Sequence, residues 1–376
     1  MIETRRPAES SSGQHTVVHV FPTFAVGGAQ VRFAALANRF GRAFRHIVVA
    51  LDGETGCRER LNPDLDVSFP AIDAPKNAML ANAWRFRRQL KAWAPDVLVT
   101  YNWGAIEFAI ANLPGMVRHL HVVDGFGPEE RETQLQRRVL IRRMVLRRGI
   151  VVVPSRTLER IATEIWKLPR GIVRYVPNGV DLGRFVPRPP GSASVGPLTI
   201  GTVAALRAEK NLGRLLRAFA EVARDRPARL EIVGDGAERA GLEALAAELG
   251  IAGLVDFLGH RDDTPGLYTG FDVFALTSDT EQMPLSVIEA MAAGLPIVAT
   301  DVGDVRAMVS ERNTDCLVPK DDAAMAAMLA RVLDDPAERM AMGRANREKA
   351  ERDFAQEGMF SAWWGLLSGE EGGISR

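Results

Sequence analysis

Cysteine is nearly absent from this chain, and net charge is absent altogether. Cys57 and Cys316 are the only two cysteines among 376 residues, and they lie far apart. Two cannot build a disulfide framework, and no metal-ligand spacing surrounds them. A reducing, cytoplasmic compartment is the expected setting. The 47 Lys and Arg residues balance the 47 Asp and Glu, so the formal net charge is +0. Nucleic-acid-binding domains usually carry a basic excess, so no nucleic-acid partner is expected. No apolar run approaches the ~18–20 residues of a membrane span. The opening MIETRRPAESSSGQH has no apolar core and does not read as a signal peptide. What is present is ordinary for a globular protein long enough for two domains: 47% hydrophobic and 25% charged residues.

The pattern alternates strands and helices, twice over. In the first half, strands are predicted at His15 to Phe21, His46 to Leu51, Val67 to Ile72, Asp96 to Tyr101, Leu120 to Val123, Ile150 to Pro154 and Val173 to Pro177. Pro70 weakens the third, because it cannot donate to a ladder. Helices are predicted over Val31 to Phe40, Ala81 to Trp93 and Thr133 to Arg148, and Ser155 is placed to cap another. The Pro-, Gly- and Ser-rich stretch 186–196 reads as a linker. The alternation then restarts at Leu198 and continues to about Phe354. In its first helix Leu212, Leu215, Leu216, Phe219 and Val222 fall on one stripe. Such alternation implies parallel sheets with helices on both faces, and ligands at the carboxyl ends of the strands. The expected domains are 1–185 and 197–354. The final segment, 355–376, carries Trp363 and Trp364 and suits docking back on the first domain.

Glu281 and Glu289 stand out in SDTEQMPLSVIEAMAAGLPIVAT. Pro284 fits the first turn of a helix, so Glu281 falls in the loop before it and Glu289 inside it. Helix N-termini offer unpaired N–H groups to anions. A carboxylate one or two turns in can accept two sugar hydroxyls. The neighbours of Glu289 at helical spacing are Leu285, Ala292 and Ala293, so a buried acid there needs a partner, either a ligand or a structural Arg.

These residues and others in order make the chain resemble the retaining family 4 glycosyltransferases. The carrying segments are GGAQ at 27–30, VPNGVD at 176–181, LRAEKN at 206–211, VGDG at 233–236, FLG at 257–259, EAMAAGLPIVAT at 289–300 and DVG at 301–303. The resemblance covers roughly residues 16 to 365. It implies an α/β fold of GT-B architecture, two Rossmann-like domains facing an inter-domain cleft. It implies transfer of a sugar from a nucleotide-diphosphate-sugar, which is a substrate, with no cofactor. The acceptor is expected to be a saccharide or a lipid-linked sugar. Lys210 would contact the diphosphate, Glu289 the ribose and Glu281 the sugar hydroxyls. The amides of Leu285 and Ser286 would meet phosphate, with Gly234 in the same donor site. Gly27 and Gly28 would approach from the first domain, unless they are only a tight turn. Asn102 and Trp103, past a buried strand, are expected on the acceptor side, though Trp103 can equally pack the domain.

Two positions depart from the family pattern. Ala205 stands where an Arg is usual, so Arg207 is expected to supply the second cation. Asp124 stands where a His is usual, with His119 and His121 upstream, and is the residue expected in its catalytic place. The only Asp-x-Asp spacing, Asp64 and Asp66, lacks the context of a metal site, so side chains must neutralise the leaving diphosphate. Two unit charges ~4 Å apart at an effective dielectric of ~20 interact by roughly 4 kcal/mol, enough for Lys, Arg and a helix end to replace an ion. The helix at 136–148 carries six arginines around Leu140, Ile141, Met144 and Val145. A core-packed helix with a solvated back is the favoured reading; peripheral contact with anionic lipid at the inner membrane face is the other. Two further classes stay open: a sugar-nucleotide-binding regulator without turnover, and a phosphorylase or epimerase of the same fold.

Overall fold

The computed structural model describes residues 14–75, 78–113, 115–130, 133–189, 196–261 and 263–370. Two sheets, each with all strands parallel, form two domains. The first has seven strands: β1 His15–Phe21, β2 Phe44–Ala50, β3 Val67–Ser68, β4 Val97–Tyr101, β5 Arg118–Val122, β6 Ile150–Val153 and β7 Val173–Tyr175. Their order is β3-β2-β1-β4-β5-β6-β7. The helices between them are α1 Gly28–Phe40, α2 Met79–Trp93, α3 Ile106–Ala111, α4 Gln136–Val145 and α5 Arg156–Arg160. Strand β3 stops two residues before Pro70, as a ladder requires, and so stays a short edge.

The second sheet holds β8 Leu198–Val203, β9 Ala228–Val233, β10 Val255–Gly259, β11 Val273–Leu276, β12 Ile297–Thr300 and β13 Leu317–Val318, in the order β10-β9-β8-β11-β12-β13. Its helices are α6 Leu212–Ala223, α7 Arg239–Glu248, α8 Thr264–Tyr268, α9 Leu285–Ala292, α10 Val305–Met308, α11 Asp322–Asp334 and α12 Pro336–Asp353, and the chain then closes with α13 Gln356–Ser368. The α6 stripe is buried as its spacing requires, and Asn211 caps this helix by accepting from the Arg214 N–H. Strand order reverses between β1 and β4 and again between β8 and β11. Connections leave in opposite directions at such points and open a crevice beyond the strand ends. Both crevices face one cleft.

Two expectations shift, the domain boundary and the face of one helix. Val180 and Phe185 pack in the second domain's core, so the chain has changed domain before 185. Arg188 then donates to Asp272 Oδ1 at 2.8 Å, which ties the start of the linker to that domain; residues 190–195 of the linker lie outside the described residues. In α2 the apolar Trp84 is 64% exposed, and Phe86 takes the core position. Helix α4 is turned relative to the expected stripe. Ile141 and Val145 face in, but Leu140 and Met144 face solvent and Arg142 is buried. Met359, Phe360, Trp363, Leu366 and Leu367 of α13 share a core with α1 and β1.

Candidate active site

A cleft of 820 Å³ lies between the domains, and loops from both switch points line it. From the first domain come Gly27 and Gly28 after β1, Asn102 and Trp103 after β4, and Asp124 after β5. From the second come Arg207 and Lys210 after β8, and Met283 and Leu285 after β11. A Cβ built on Gly28 would stand 3.9 Å from Leu285 Cδ1, so the two walls meet here. Eight residues singled out from the sequence therefore share this cleft.

The cations are held in different ways. Lys210 Nζ lies 2.6 Å from Glu281 Oε1, and the same oxygen accepts the Ser278 hydroxyl at 2.7 Å. An ammonium has three donors, so this pair leaves two for a ligand. Arg207 is exposed, and among the described residues no acid pairs with its guanidinium. Helix α9 opens at Pro284 without a side-chain cap, so its first N–H groups lack an intrahelical partner. Gly303 holds the Glu281 loop from behind. Its φ is +56°, and a Cβ there would lie 2.2 Å from the Glu281 carbonyl oxygen. Only glycine suits that approach.

Glu289 has a partner that the sequence reading did not weigh. Glu289 Oε2 accepts from the buried Tyr268 hydroxyl at 2.7 Å, and among the described residues no Arg ligates it. The same hydroxyl lies 3.3 Å from the Ser286 carbonyl. Burial raises the Glu289 carboxyl above its ordinary range, while the Tyr268 hydrogen bond and the Arg184 charge draw it back. Glu289, Ser286 and Glu281 are partly exposed and lie next to Leu285 and Lys210 of the lining without being among the residues that bound this cavity. Gly234 is also off the lining. Its φ is +136°, and a Cβ would lie 1.9 Å from the Ala204 carbonyl oxygen, so its visible role is close packing of two loops.

Asp124 is bound rather than free. Arg32 forks it, with Nη1 to Oδ1 at 2.7 Å and Nη2 to Oδ2 at 2.9 Å. Its backbone N–H donates to Asn102 Oδ1 at 2.8 Å, and Asn102 holds a φ of +54° to reach it. Trp103 is part of a cationic stack. The Arg138 and Arg142 guanidinium carbons lie 4.8 and 5.0 Å from its ring centroid, so at least one face is taken from any sugar. Arg142 is in turn forked by the buried Glu130, at 2.8 and 2.6 Å. This explains why α4 turns an arginine inward: a guanidinium paired bidentately with a buried carboxylate and stacked on aromatic rings can itself be buried. Asp64 and Asp66 lie outside the cleft lining, with Asp66 4.0 Å from Arg45.

Arg32, Asn178, Tyr268 and Asp304 were not found by sequence reasoning. Asn178 lay inside a quoted segment, but nothing local marks the other three. Asp304, at the head of α10, accepts from the Arg156 and Thr157 N–H groups of the other domain. It thereby caps α5 across the cleft, beside the cap from Ser155.

Two parallel Rossmann-like domains with their site between them define the GT-B architecture. The family described as Glycosyltransferase Family 4 matches residues 26–184, and Glycosyl transferases group 1 matches residues 188–349. The chain belongs to this family of glycosyltransferases. It is 34% identical over 229 residues to the 2-deoxystreptamine glucosyltransferase of Streptomyces kanamyceticus, covering 57% of this chain and 59% of that protein. It is 27% identical over 282 residues to a glycogen synthase of Mycobacterium tuberculosis, covering 70% of this chain and 66% of that one. The matched stretches thus span under two thirds of these relatives. In fold it is similar to Anabaena HepE solved with UDP and glucose, with a TM-score of 0.77, 18% identity, and 94% and 99% of the two chains covered.

Proposed function

We propose that this protein is a retaining, metal-independent glycosyltransferase. It moves a sugar from a nucleotide-diphosphate-sugar to a saccharide or lipid-linked acceptor in polysaccharide or glycolipid assembly. One observation carries the reading: Arg207, Lys210 and the uncapped start of α9 share one wall of the cleft, opposite Gly27, Gly28 and Asp124. As the bond from the anomeric carbon to the diphosphate breaks, negative charge grows on the phosphate oxygens. The two cations and the helix amides stabilise it where it develops. The acceptor hydroxyl forms the new bond on the face the diphosphate leaves, and its proton passes to a leaving phosphate oxygen. Glu289 holds the ribose, and Glu281 orients Lys210 and the donor sugar. The names of the glucosyltransferase and glycogen synthase relatives support a hexose donor.

The test is incubation with a panel of nucleotide sugars, with and without acceptor oligosaccharides, in chelator. Nucleoside diphosphate release that depends on acceptor, with the anomeric configuration kept in the product, is expected. Loss of turnover in chelator would end the metal-independent part. A second reading, a sugar-nucleotide-binding regulator, is favoured by Ala205 and by the fork that occupies both Asp124 oxygens. Tight nucleotide binding without release of diphosphate would select it.

The exposed face of α4 supports contact with an anionic lipid surface. Leu135, Leu140 and Met144 are 44%, 54% and 57% exposed there, beside the exposed Arg137, Arg143 and Arg147. Co-sedimentation with phosphatidylglycerol vesicles but not with phosphatidylcholine vesicles is expected. Equal recovery from both would remove this contact.

A further inference from the structure

Along the wall of the cleft, a hydrogen-bonded chain joins the two domains. It starts at Asp124, whose two oxygens take the fork of Arg32 from α1. The same Arg32 Nη1 also donates to Asn178 Oδ1 at 2.9 Å. Asn178 then crosses to the second domain, where its Nδ2 donates to the Met283 carbonyl at 3.2 Å. Met283 immediately precedes Pro284, at which α9 opens. The Arg32 guanidinium carbon also lies 5.8 Å from the Trp363 ring of α13. Arg32 and Asn178 are each only 8% exposed, so these bonds are shielded from competing water.

A plain structural account has Arg32 neutralising a half-buried acid. That accounts for the fork but not for the second arm through Asn178. A guanidinium presents several donors in a fixed plane, so one group can hold two acceptors at a set angle; an ammonium cannot. We propose that Arg32 is a positioning residue. It fixes the Asp124 carboxylate on the acceptor-side wall and, through Asn178 and Met283, the start of α9 on the donor-side wall, in one register. The spacing between acceptor hydroxyl and donor phosphate then follows from a single buried side chain. Neither wall sets that spacing alone, because they belong to different domains.

This inference rests on the transferase reading. The test compares Arg32→Lys and Asn178→Ala with the unaltered protein. The readouts are kcat and donor KM, backbone hydrogen exchange at Val287 to Met291, and melting temperature. Asn178→Ala cuts the second arm and leaves the Asp124 fork in place. Both variants are expected to lose about 10²-fold in kcat, the scale of a misplaced reacting group, with donor KM unchanged and exchange in α9 faster. Unchanged kcat and unchanged α9 exchange in both variants would overturn the proposal. So would a lower melting temperature with exchange raised evenly across the first domain, the mark of a merely structural residue. If the unaltered protein turns over no donor, the transferase reading fails, and α9 exchange still decides whether Arg32 couples the walls. Should Arg32→Lys fail to fold, Asn178→Ala alone gives the answer.

Discussion

Lys210 and Glu281 come from loops 71 residues apart and meet at 2.6 Å on the donor side of the cleft. The contact aims the ammonium and also lowers its effective charge. Lys210→Ala removes the cation and leaves the carboxylate facing the leaving diphosphate. We expect turnover to fall by roughly 10²–10³, the loss typical of one preorganised charge-stabilising group. Glu281→Gln is expected to cost less, and the double variant less than the sum, because the residues share one interaction. Steady-state kinetics on the three variants checks this; additive losses would show that the pair is not a unit.

Glu289 and Tyr268 separate a ligand role from a packing role. Glu289→Gln is expected to weaken nucleoside diphosphate binding by about 1–3 kcal/mol, the cost of poorly paired hydroxyls. Tyr268→Phe removes the structural partner and keeps the carboxylate. Calorimetry should show the larger affinity loss in the Glu289 variant. If only the melting temperature changes, Glu289 is a partner of Tyr268 and nothing more.

Asp304 caps a helix of the opposite domain. Asp304→Ala unpairs the Arg156 and Thr157 N–H groups and should cost about 0.5–2 kcal/mol, the range for a lost N-cap. Hydrogen exchange should quicken at residues 156–158 ahead of the β6 core. Protection unchanged at those amides would mean that the domains do not depend on this contact.

Stability should fall in mild acid. Four histidines are buried in the first sheet. His19 lies 3.2 Å from the Tyr101 hydroxyl and 3.1 Å from His46. Thr100 Oγ1 bridges His119 and His121 at 2.8 Å each. The hydroxyl has one proton, so it donates to one ring and accepts from the other. Burial lowers His46 and His119 to about 4, and pushes His19 and His121 well below the ordinary 6.5. The folded state thus holds these rings neutral. Their contribution is complete above about pH 6.5 and is lost as the pH falls towards about 4, because the unfolded chain takes up the protons. Each such histidine gives a slope of about 1.4 kcal/mol per pH unit. Urea midpoints should fall between about pH 6.5 and pH 5, before most carboxylates titrate. A flat profile there would contradict the buried neutral rings.

Several strands could be read from the sequence, because a run such as His15–Phe21 or Leu198–Val203 declares itself within its own length. Helix α6 was legible for the same reason: its stripe is local. Helix α4 was misread because a guanidinium had been assumed to face water. Glu130, six residues before that helix opens, reverses the assumption by forking Arg142. The strand β13 and the short helices α8 and α10 are too brief to show a period.

Within the cleft, residue types were legible and partners were not. The sequence by itself determined the α/β alternation, the helix start at Pro284 and the place of Glu289 inside that helix, since spacing and turn chemistry act over a few residues; Lys210 and Arg207 were singled out by the family resemblance. Only the tertiary structure decided that Glu281 takes Lys210, that Tyr268 takes Glu289, and that Arg32 takes Asp124 across 92 positions. Strand order and the meeting of two domains place those groups together, and no local pattern along the chain encodes either.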